Sequence, residues 1–386
     1  MVRTFLYDAF ISRGDRMIVV FTSNIDGGIV QFAIQLTTEL LKNKISCKCF
    51  IPKEAVGMIP QSISDNIVRY KKFKAVSQTD RRIHELANQI IANEPSLIWY
   101  IDSSILSAEI CSQLAKEKNK NFSQLFTVHD PSQDHPTNKI SMHDRLKRVL
   151  VRKRRKIAFE KSDKIVTLSP ESGRQFRKIF PKYRDKEIVF NLGAHIPDAD
   201  EQKPDECTEL DDSYILFFGR IDKYKGIENL LCAFNNRKNS QQRLVIAGKG
   251  DLTEKEEELA NITNNLVLIN RYIKDEEQIW LFKHAKALIL PYIEASQSGI
   301  IPIAYKFGVP VIVSDIPGLT QFVENKKTGV VCNSIEEITE AIDNIDQYKD
   351  YMKTACMEYY KTNLEWWNSI QSMFESVGYK NEVING

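Results

Sequence analysis

The stretch ALILPYIEASQSGIIPIAYKFGVPVIV, residues 287–313, contains the basic unit of an α/β fold. Residues 287–290 form a continuous apolar run typical of a strand buried on both faces, and residues 309–313 form a second such run. A polar loop follows the first run, and apolar residues then recur at helical spacing from Gly299 to Phe307. This order predicts two parallel strands joined by a crossover helix.

The same alternation continues along the chain on both sides of this unit. In the C-terminal half, further strands are predicted at 214–218, 243–247 and 266–269. In the N-terminal half, strands are predicted at 17–21, 46–51, 97–101, 123–128, 164–168 and 187–190. The polar, acidic segment 198–212 is typical of a linker. We therefore expect two doubly wound α/β domains with parallel sheets, 1–200 and 201–360, that face a cleft.

The composition limits the class of protein. A chain of 386 residues that is 42% hydrophobic and 27% charged is typical of a soluble protein with two domains. No run of 18 apolar residues occurs, and charges interrupt every apolar stretch of the N-terminus, so neither a transmembrane helix nor a secretory signal is expected. The seven cysteines and six histidines show no metal-ligand spacing. We expect a cytoplasmic protein with free thiols and no metal site.

A basic segment carries the excess positive charge of the N-terminal half. Residues 139–187 hold 17 basic and 6 acidic residues, and eight of the twelve residues 145–156 are basic. Apolar residues at helical spacing make this run an amphipathic helix, which fits a solvated face, a nucleic-acid contact or an anionic membrane surface. The membrane fits best, because no aromatic residues interleave with the cations, and nucleic acid is not expected as a partner. The residues expected to face the membrane or a lipid-linked acceptor are Arg148, Arg152, Lys153, Arg154 and Arg155.

Ligands of open α/β sheets bind beyond the carboxyl ends of strands, so the loops there are the candidates for chemistry. Gly27 and Gly28 follow the first strand and would either let the backbone approach a phosphate or form only a tight turn. Arg220 ends the first strand of the second half and Lys225 lies five residues later, an arrangement that suits a diphosphate better than a solvated surface pair.

A third loop joins the strand that ends at Leu290 to the helix that begins near Gly299. Glu294 lies within this loop and could accept hydrogen bonds from sugar or ribose hydroxyls, or could cap the helix. The backbone amides of Ser298, Gly299 and Ile300 would form an anion site at the start of the helix.

Several of these motifs carry a family resemblance. Gly219-Arg220 with Lys225-Gly226, the Glu294 loop and the segment 308–315 resemble the donor-binding half of retaining GT-B glycosyltransferases of family four, the glycosyl transferases group 1. Weaker resemblances continue along the chain in the same order, at Gly27-Gly28, Thr127-Val128-His129-Asp130, Asn191-Leu192-Gly193 and Trp366-Trp367.

The resemblance implies a fold and an activity. The fold would be GT-B, two Rossmann-like domains with a C-terminal helix, 361–386, that packs back on the first domain. The co-substrate would be a UDP- or GDP-sugar, with no tightly bound cofactor, and the acceptor a glycan or a lipid-linked molecule of cell-surface polysaccharide synthesis. Such an enzyme would be peripheral at the inner face of the plasma membrane.

The resemblance also implies roles for individual residues. Glu294, His129, Arg220 and Lys225 would be catalytic, with His129 near the transferred sugar, although a lone histidine is more often a structural residue. The residues expected beside the nucleobase are Lys249, Tyr272 and Ile273.

One position departs from the family pattern. The family usually has two glutamates eight residues apart, and Glu294 matches the first, but Pro302 occupies the second position and Ile303 follows it. This departure keeps an alternative open, a non-catalytic GT-B paralogue that binds glycan or partners another transferase.

Overall fold

The computed structural model describes residues 17–25, 27–55, 59–74, 80–117, 120–132, 142–210 and 213–379, with the backbone alone at 142–148 and 150. These residues form two compact units. Unit 1 comprises the described residues up to Leu168, then Gly173–Phe190 and the residues from Ile370 onward, and unit 2 comprises Ser169–Ser172 and Asn191–Ser369.

Unit 1 is built on a parallel sheet. Its strands are β1 (Met17–Phe21), β2 (Cys47–Pro52), β3 (Ile67–Tyr70), β4 (Pro95–Tyr100), β5 (Ser123–Val128), β6 (Lys164–Thr167) and β7 (Glu187–Val189). They lie in the order β3-β2-β1-β4-β5-β6-β7, and neighbouring strands pair in parallel. β3 was not predicted, because this short edge strand contains the exposed Arg69 and lacks a continuous apolar run.

Helices connect the strands of unit 1. They are α1 (Gly27–Lys42), α2 (Arg81–Ile91), α3 (Ile105–Leu114), α4 (Met142–Lys161) and α5 (Pro170–Ile179), the last of which begins within unit 2. The aromatic core between α4, α5 and the sheet includes Phe126, Phe159 and Phe176. Large rings that are fully buried contribute about 2–3 kcal/mol each to the hydrophobic driving force, and here they fix the helix that carries the basic segment.

Unit 2 repeats the architecture with different strands. Its strands are β8 (Tyr214–Phe218), β9 (Leu244–Ala247), β10 (Leu266–Ile269), β11 (Ala285–Leu290), β12 (Val311–Ser314) and β13 (Gly329–Cys332). They lie in the order β10-β9-β8-β11-β12-β13, again with parallel pairing. β13 is a four-residue edge strand that the sequence analysis did not find.

The helices of unit 2 follow its strands. They are α6 (Ile227–Asn235), α7 (Glu254–Ile262), α8 (Asp275–His284), α9 (Ile300–Lys306), α10 (Pro317–Thr320) and α11 (Ile335–Tyr359). A final helix, α12 (Trp366–Ser376), begins in unit 2 and from Ile370 onward belongs to unit 1. Trp366 anchors its start, because the indole Nε1 donates a hydrogen bond to the carbonyl oxygen of Ala194 at 2.9 Å.

Both sheets reverse their strand order at one place, between β1 and β4 in unit 1 and between β8 and β11 in unit 2. At such a switch point the crossover helices leave to opposite faces of the sheet, and the loops at the carboxyl ends of the two strands part to leave a crevice. The loops after these four strands are therefore the places to look for a site.

Candidate functional site

In unit 2, the loops after β8 and β11 lie against each other at the switch point. The amide of Ile293 donates a hydrogen bond to the carbonyl oxygen of Tyr224 at 2.9 Å. Gly226 has a left-handed backbone with φ +68°, and a Cβ added there would overlap the carbonyl oxygen of Pro291. Only glycine permits both the backbone angle and this approach, so Gly226 is required for the two loops to meet.

Lys225 lies between the two loops as a partly buried cation. Its Nζ is 3.7 Å from the centroid of the Tyr292 ring and 5.0 Å from that of Tyr224. The pKa of Lys225 is lowered to about 7, chiefly by burial and also by the charge of Arg220, while the charge of Asp222 acts in the opposite direction. Among the described residues no carboxylate forms an ion pair with Nζ. A cation that lies against aromatic faces and forms no ion pair of its own is suited to a negatively charged ligand.

Arg220 supplies a second cation at the same strand end. Its side chain is 68% exposed, and its Nη2 lies 3.1 Å from Oδ2 of Asp222. An exposed ion pair of this kind contributes only about 0–1 kcal/mol to stability, so the guanidinium could exchange Asp222 for a diphosphate at little cost. The predicted pair of cations at the end of β8 is thus present, with one member partly buried and the other open to solvent.

The loop after β11 contains the polar groups that the sequence analysis named for the site. Glu294 is partly exposed and Gly299 is exposed, and α9 begins at Ile300. Ser298 is buried, and its Oγ accepts a weak hydrogen bond from the Ile300 amide at 3.4 Å. This amide therefore already has an acceptor within the protein. Pro302 lies in the first turn of α9 and is buried.

The edge beyond β9 and β10 presents one exposed ring. Tyr272 is 69% exposed and Lys249 is exposed, as a contact with a planar base would require. Ile273, by contrast, is buried in the core of unit 2, so its side chain faces inward, and its assignment to the nucleobase side was wrong.

Arg271 holds this edge in place, a role that the sequence analysis missed. Its guanidinium donates paired hydrogen bonds to Glu206 at 2.7–2.8 Å and to Glu277 at 2.7–2.9 Å. The hydrogen bonds from Arg271 hold the pKa of Glu206 below its usual value. Glu206 lies in the segment predicted to be a linker, so that segment also supports the loop. No local pattern reveals an ion pair between residues so distant in sequence.

The glycine loop of unit 1 is open. One alternative in the sequence analysis made Gly27 and Gly28 a tight turn after the strand, whereas α1 already begins at Gly27. Both glycines are exposed, and a Cβ added to either would meet no atom within 4 Å. Gly27 has a left-handed φ of +71°, and Gly28 does not. The backbone here is accessible to a ligand, while the packing of unit 1 alone does not require glycine at position 28.

A buried carboxylate ties the loops after β1 and β4 together. Oδ2 of Asp102 accepts hydrogen bonds from Thr22 Oγ1 at 2.8 Å and from the Ser23 amide at 2.6 Å. Oδ1 accepts from the Ser104 amide at 2.9 Å and from Ser107 Oγ at 2.6 Å. Burial alone would raise the pKa of Asp102, but these donors outweigh it and hold the pKa below its usual value. The sequence analysis missed this residue, although an aspartate followed by serines at a strand end is a recognisable capping signal.

His129 follows β5 at the same edge. Its Nε2 lies 2.7 Å from the carbonyl oxygen of Ile101. A carbonyl can only accept, so Nε2 carries the proton, and the neutral ring then keeps a lone pair on Nδ1. Burial lowers the pKa of His129, which favours that neutral form. The predicted contact with a sugar can therefore use Nδ1 as an acceptor, but Nε2 is already engaged.

The basic helix α4 divides its cations between two environments. Arg152 and Lys153 are exposed, next to Val149, which is 66% exposed. Arg154 instead contacts Glu109, a buried carboxylate, at 2.8 Å, and Arg155 is only 7% exposed.

The prediction that Arg154 and Arg155 face a membrane is therefore wrong. One side of an α-helix must pack on its own domain, and these two residues lie on that side. The side chain of Arg148 lies outside the described residues.

In the described ranges, no helix has the length and apolarity to span a bilayer, and no three or more His, Cys, Asp or Glu side chains converge as metal ligands. The seven cysteines are free thiols, and all except the partly exposed Cys232 are buried.

Part of the sequence matches known glycosyltransferases. Residues 198–357 match the family model of glycosyl transferases group 1. An uncharacterized glycosyltransferase of Methanocaldococcus jannaschii is 30% identical over 183 residues, which are 44% of this chain and 46% of that protein. The match thus spans about half the length of this curated relative.

Solved structures resemble almost the whole chain. The complex of Anabaena HepE with UDP-glucose superposes with a TM-score of 0.69 at 12% identity, over 94% of this chain and all of that one. Sucrose-phosphate synthase of Thermosynechococcus elongatus superposes with a TM-score of 0.67 at 17% identity, over 94% and 98% of the two chains. The predicted fold, two Rossmann-like domains with parallel sheets as in GT-B glycosyltransferases, is confirmed.

Proposed function

We propose that this protein is a retaining glycosyltransferase that moves a sugar from a UDP- or GDP-sugar to a glycan or lipid-linked acceptor. The observation that carries the proposal is Lys225, a partly buried cation at the switch point of unit 2 that has aromatic rings around it and no carboxylate paired with it among the described residues. The match of residues 198–357 to the group 1 family model and the UDP-glucose complex of the structurally similar Anabaena HepE support a nucleotide-sugar ligand.

In the proposed reaction the cations act on the leaving group. The bond between the sugar C1 and the diphosphate oxygen breaks, and its electron pair goes to the diphosphate, where Arg220 and Lys225 stabilise the growing negative charge. The acceptor hydroxyl oxygen bonds to C1 from the same face, and its proton passes to a diphosphate oxygen. No protein nucleophile is needed, and Glu294 positions the sugar by accepting hydrogen bonds from its hydroxyls.

Two experiments test the proposal. Calorimetric titration with UDP, GDP and ADP should show that one of the diphosphates binds, and Arg220→Ala should weaken that binding. Incubation with the matching nucleotide sugars and a glycan acceptor, followed by NMR of the product, gives the anomeric configuration. An inverted anomer would contradict the retaining mechanism, and failure of all three diphosphates to bind would remove the donor-site assignment.

One feature favours the second candidate, a paralogue that binds glycan or a partner without turnover. Pro302 occupies the position of the family's second glutamate, and Ile303 after it is 4% exposed, so neither side chain offers an acceptor for ribose hydroxyls. This alternative would be established if nucleotide sugars bind but the protein neither transfers nor slowly hydrolyses the sugar of any donor that binds.

We also propose that the protein works in cell-surface polysaccharide synthesis as a peripheral protein at the inner face of the plasma membrane. The exposed face of α4 supports this, because Arg152, Lys153 and Lys156 are exposed beside Val149. Cations next to an exposed apolar side chain suit the boundary between lipid headgroups and acyl chains.

A further inference from the structure

Arg155 is the buried cation of unit 1 that neither the fold nor the proposed donor site explains. It is only 7% exposed, and its Nε donates one hydrogen bond, to the carbonyl oxygen of Ser103 at 3.3 Å. Within the described part of the chain, the guanidinium forms no other hydrogen bond and no ion pair. An arginine offers five N–H donors, and the four that Arg155 does not use within the protein are not enclosed, so they remain available to a ligand that reaches this edge.

The nearby carboxylates do not fill this role. Both oxygens of Asp102 are occupied by the hydroxyls and amides described above. Oδ1 of Asp130 accepts hydrogen bonds from the amide and the hydroxyl of Ser132 at 3.0 and 2.8 Å. These two aspartates favour the charged form of Arg155 from a distance, yet burial still lowers its pKa to about 10. The guanidinium therefore stays protonated at neutral pH and is under-compensated.

Arg154, the neighbouring residue on α4, is an example of a cation that only supports the fold. Arg154 has a buried carboxylate, Glu109, at 2.8 Å from its Nη1. The two residues are adjacent on α4 and both pack inward, but only Arg154 is given a counter-ion by the protein. A buried pair is stable only when both charges are present, so the absence of a carboxylate beside Arg155 points to a counter-ion that arrives with a ligand.

The position of Arg155 is that of a ligand site. Ser103, its hydrogen-bond partner, lies in the loop after β4, at the point where the strand order of unit 1 reverses. The same edge carries His129, whose Nε2 is engaged with Ile101 and whose Nδ1 keeps a lone pair. A planar guanidinium can hold a carboxylate or a phosphate by two parallel hydrogen bonds, and a neutral imidazole nitrogen beside it can accept from a hydroxyl.

We propose that Arg155 anchors an oxyanion site at the carboxyl edge of unit 1, and that the acceptor of the transfer carries an acidic group, a carboxylate or a phosphate, which Arg155 binds. The acceptor part of this proposal rests on the proposed transferase function. The oxyanion site itself does not, since it is defined by unit 1 alone. Arg155 is thereby a specificity-determining residue that selects acidic acceptors over neutral ones.

The test uses the full chain with UDP at saturation, so that the donor site in unit 2 is filled. Inorganic phosphate and acetate are titrated separately at constant ionic strength, and the Nε–H resonance of Arg155, assigned by its loss in Arg155→Lys, is followed by NMR. We expect a saturable shift with at least one anion. Phosphate would indicate a phosphorylated acceptor and acetate a carboxylated one.

Three variants complete the design. Arg155→Gln and Arg155→Lys should bind the effective anion at least tenfold more weakly in calorimetry, because the paired hydrogen bonds are lost. Lys161→Gln, which removes one exposed charge from the end of the same helix, should bind it as the wild type does. The absence of any saturable shift at Arg155, or equal affinity in Arg155→Gln and wild type, would overturn the site.

The outcomes separate the two proposals. UDP that fails to bind the wild type would count against the proposed donor site and leave the anion titration at Arg155 to be judged on its own. Should Arg155→Gln fail to fold, the wild-type resonance and Arg155→Lys decide the question.

Discussion

The carboxyl edges of the two sheets are built in opposite ways. In unit 2 the loops after β8 and β11 meet through backbone contacts that need Gly226, and the cation of Lys225 is left without a carboxylate partner among the described residues. In unit 1 the loops after β1 and β4 are joined through the side chain of Asp102, and Gly28 is not needed for packing. Because backbone contacts join the loops of unit 2, the charged side chains at its edge stay available to a ligand. In unit 1 the side chain of Asp102 joins the loops, so most polar groups at that edge bind each other.

This difference shows what a motif can reveal. At the proposed donor edge of unit 2, packing requires a glycine at 226 and leaves the cation of Lys225 without a paired carboxylate among the described residues. The unit 2 motifs therefore carry specific information. In unit 1 the open Gly27-Gly28 pair resembles a phosphate loop, but the polar groups that organise that edge belong to Asp102 and Arg155, which carry no family signal in the sequence.

The largest effect is expected when a cation is removed from the proposed donor edge of unit 2. Lys225→Ala should lower kcat/KM for transfer by about 10²–10³-fold, because one cation that stabilises the leaving diphosphate is lost. Lys223→Ala is the matched control, since Lys223 lies in the same loop but is exposed. Equal losses in the two variants would show that the loop rather than the cation matters.

The second prediction tests whether the exposed cations of α4 bind an anionic membrane surface. Changing Arg152, Lys153 and Lys156 together to Gln should weaken binding to anionic vesicles by up to about a hundredfold, at about 1 kcal/mol per cation near the surface. Sedimentation at low and high salt measures it, because exposed charges are screened within about 8 Å at physiological salt.

A matched control removes three exposed cations from unit 2, with Lys255, Lys283 and Lys327 changed to Gln. Wild-type protein that ignores anionic vesicles at low salt would contradict the membrane proposal, and a soluble acceptor would then be preferred.

A third prediction compares the two glycine loops directly. Gly226→Ala should reduce the free energy of unfolding of unit 2 by about 2 kcal/mol, because the left-handed backbone is strained for alanine and the added Cβ meets the Pro291 carbonyl. Gly28→Ala should change stability by less than about 0.5 kcal/mol, since space is open there. Thermal unfolding of both variants measures this, and similar losses in both would contradict the contrast between the edges.

The last prediction concerns pH. With a pKa of about 7, the protonated fraction of Lys225 falls as pH rises through 7, so UDP affinity should fall by up to about tenfold per pH unit above 7. For folding without ligand the sign is opposite. The unfolded chain then holds a proton that the folded chain has lost, so Lys225 opposes folding less as pH rises from 7 towards its ordinary pKa. Calorimetry between about pH 6 and 9 should show a flat profile for Lys225→Met, and an equally flat wild-type profile would contradict the prediction.

Sequence reasoning reached the fold because the central strands are continuous apolar runs separated by helical patterns. It missed β3 and β13, since a four-residue edge strand is solvated on one side and needs no such run. It also assigned Arg154 and Arg155 of the amphipathic helix to the same exposed side as Arg152 and Lys153. Charge counts do not tell which cations of a helix face the domain, and the packing of Phe159 on its neighbours turns Arg155 inward.

By itself, the sequence determined the α/β class, the division into two halves and the cation pair at the end of β8, because hydrophobic periodicity and strand-end motifs are local properties of the chain. Only the tertiary structure decided which charges stay available. Arg271 forms hydrogen bonds with Glu206 and Glu277, and Arg154 forms an ion pair with Glu109. By contrast, Lys225 contacts aromatic rings without an ion pair, and Arg155 forms a single hydrogen bond among the described residues. The physical reason is that the partner of a charge comes from residues distant in sequence, and its desolvation depends on what packs over it.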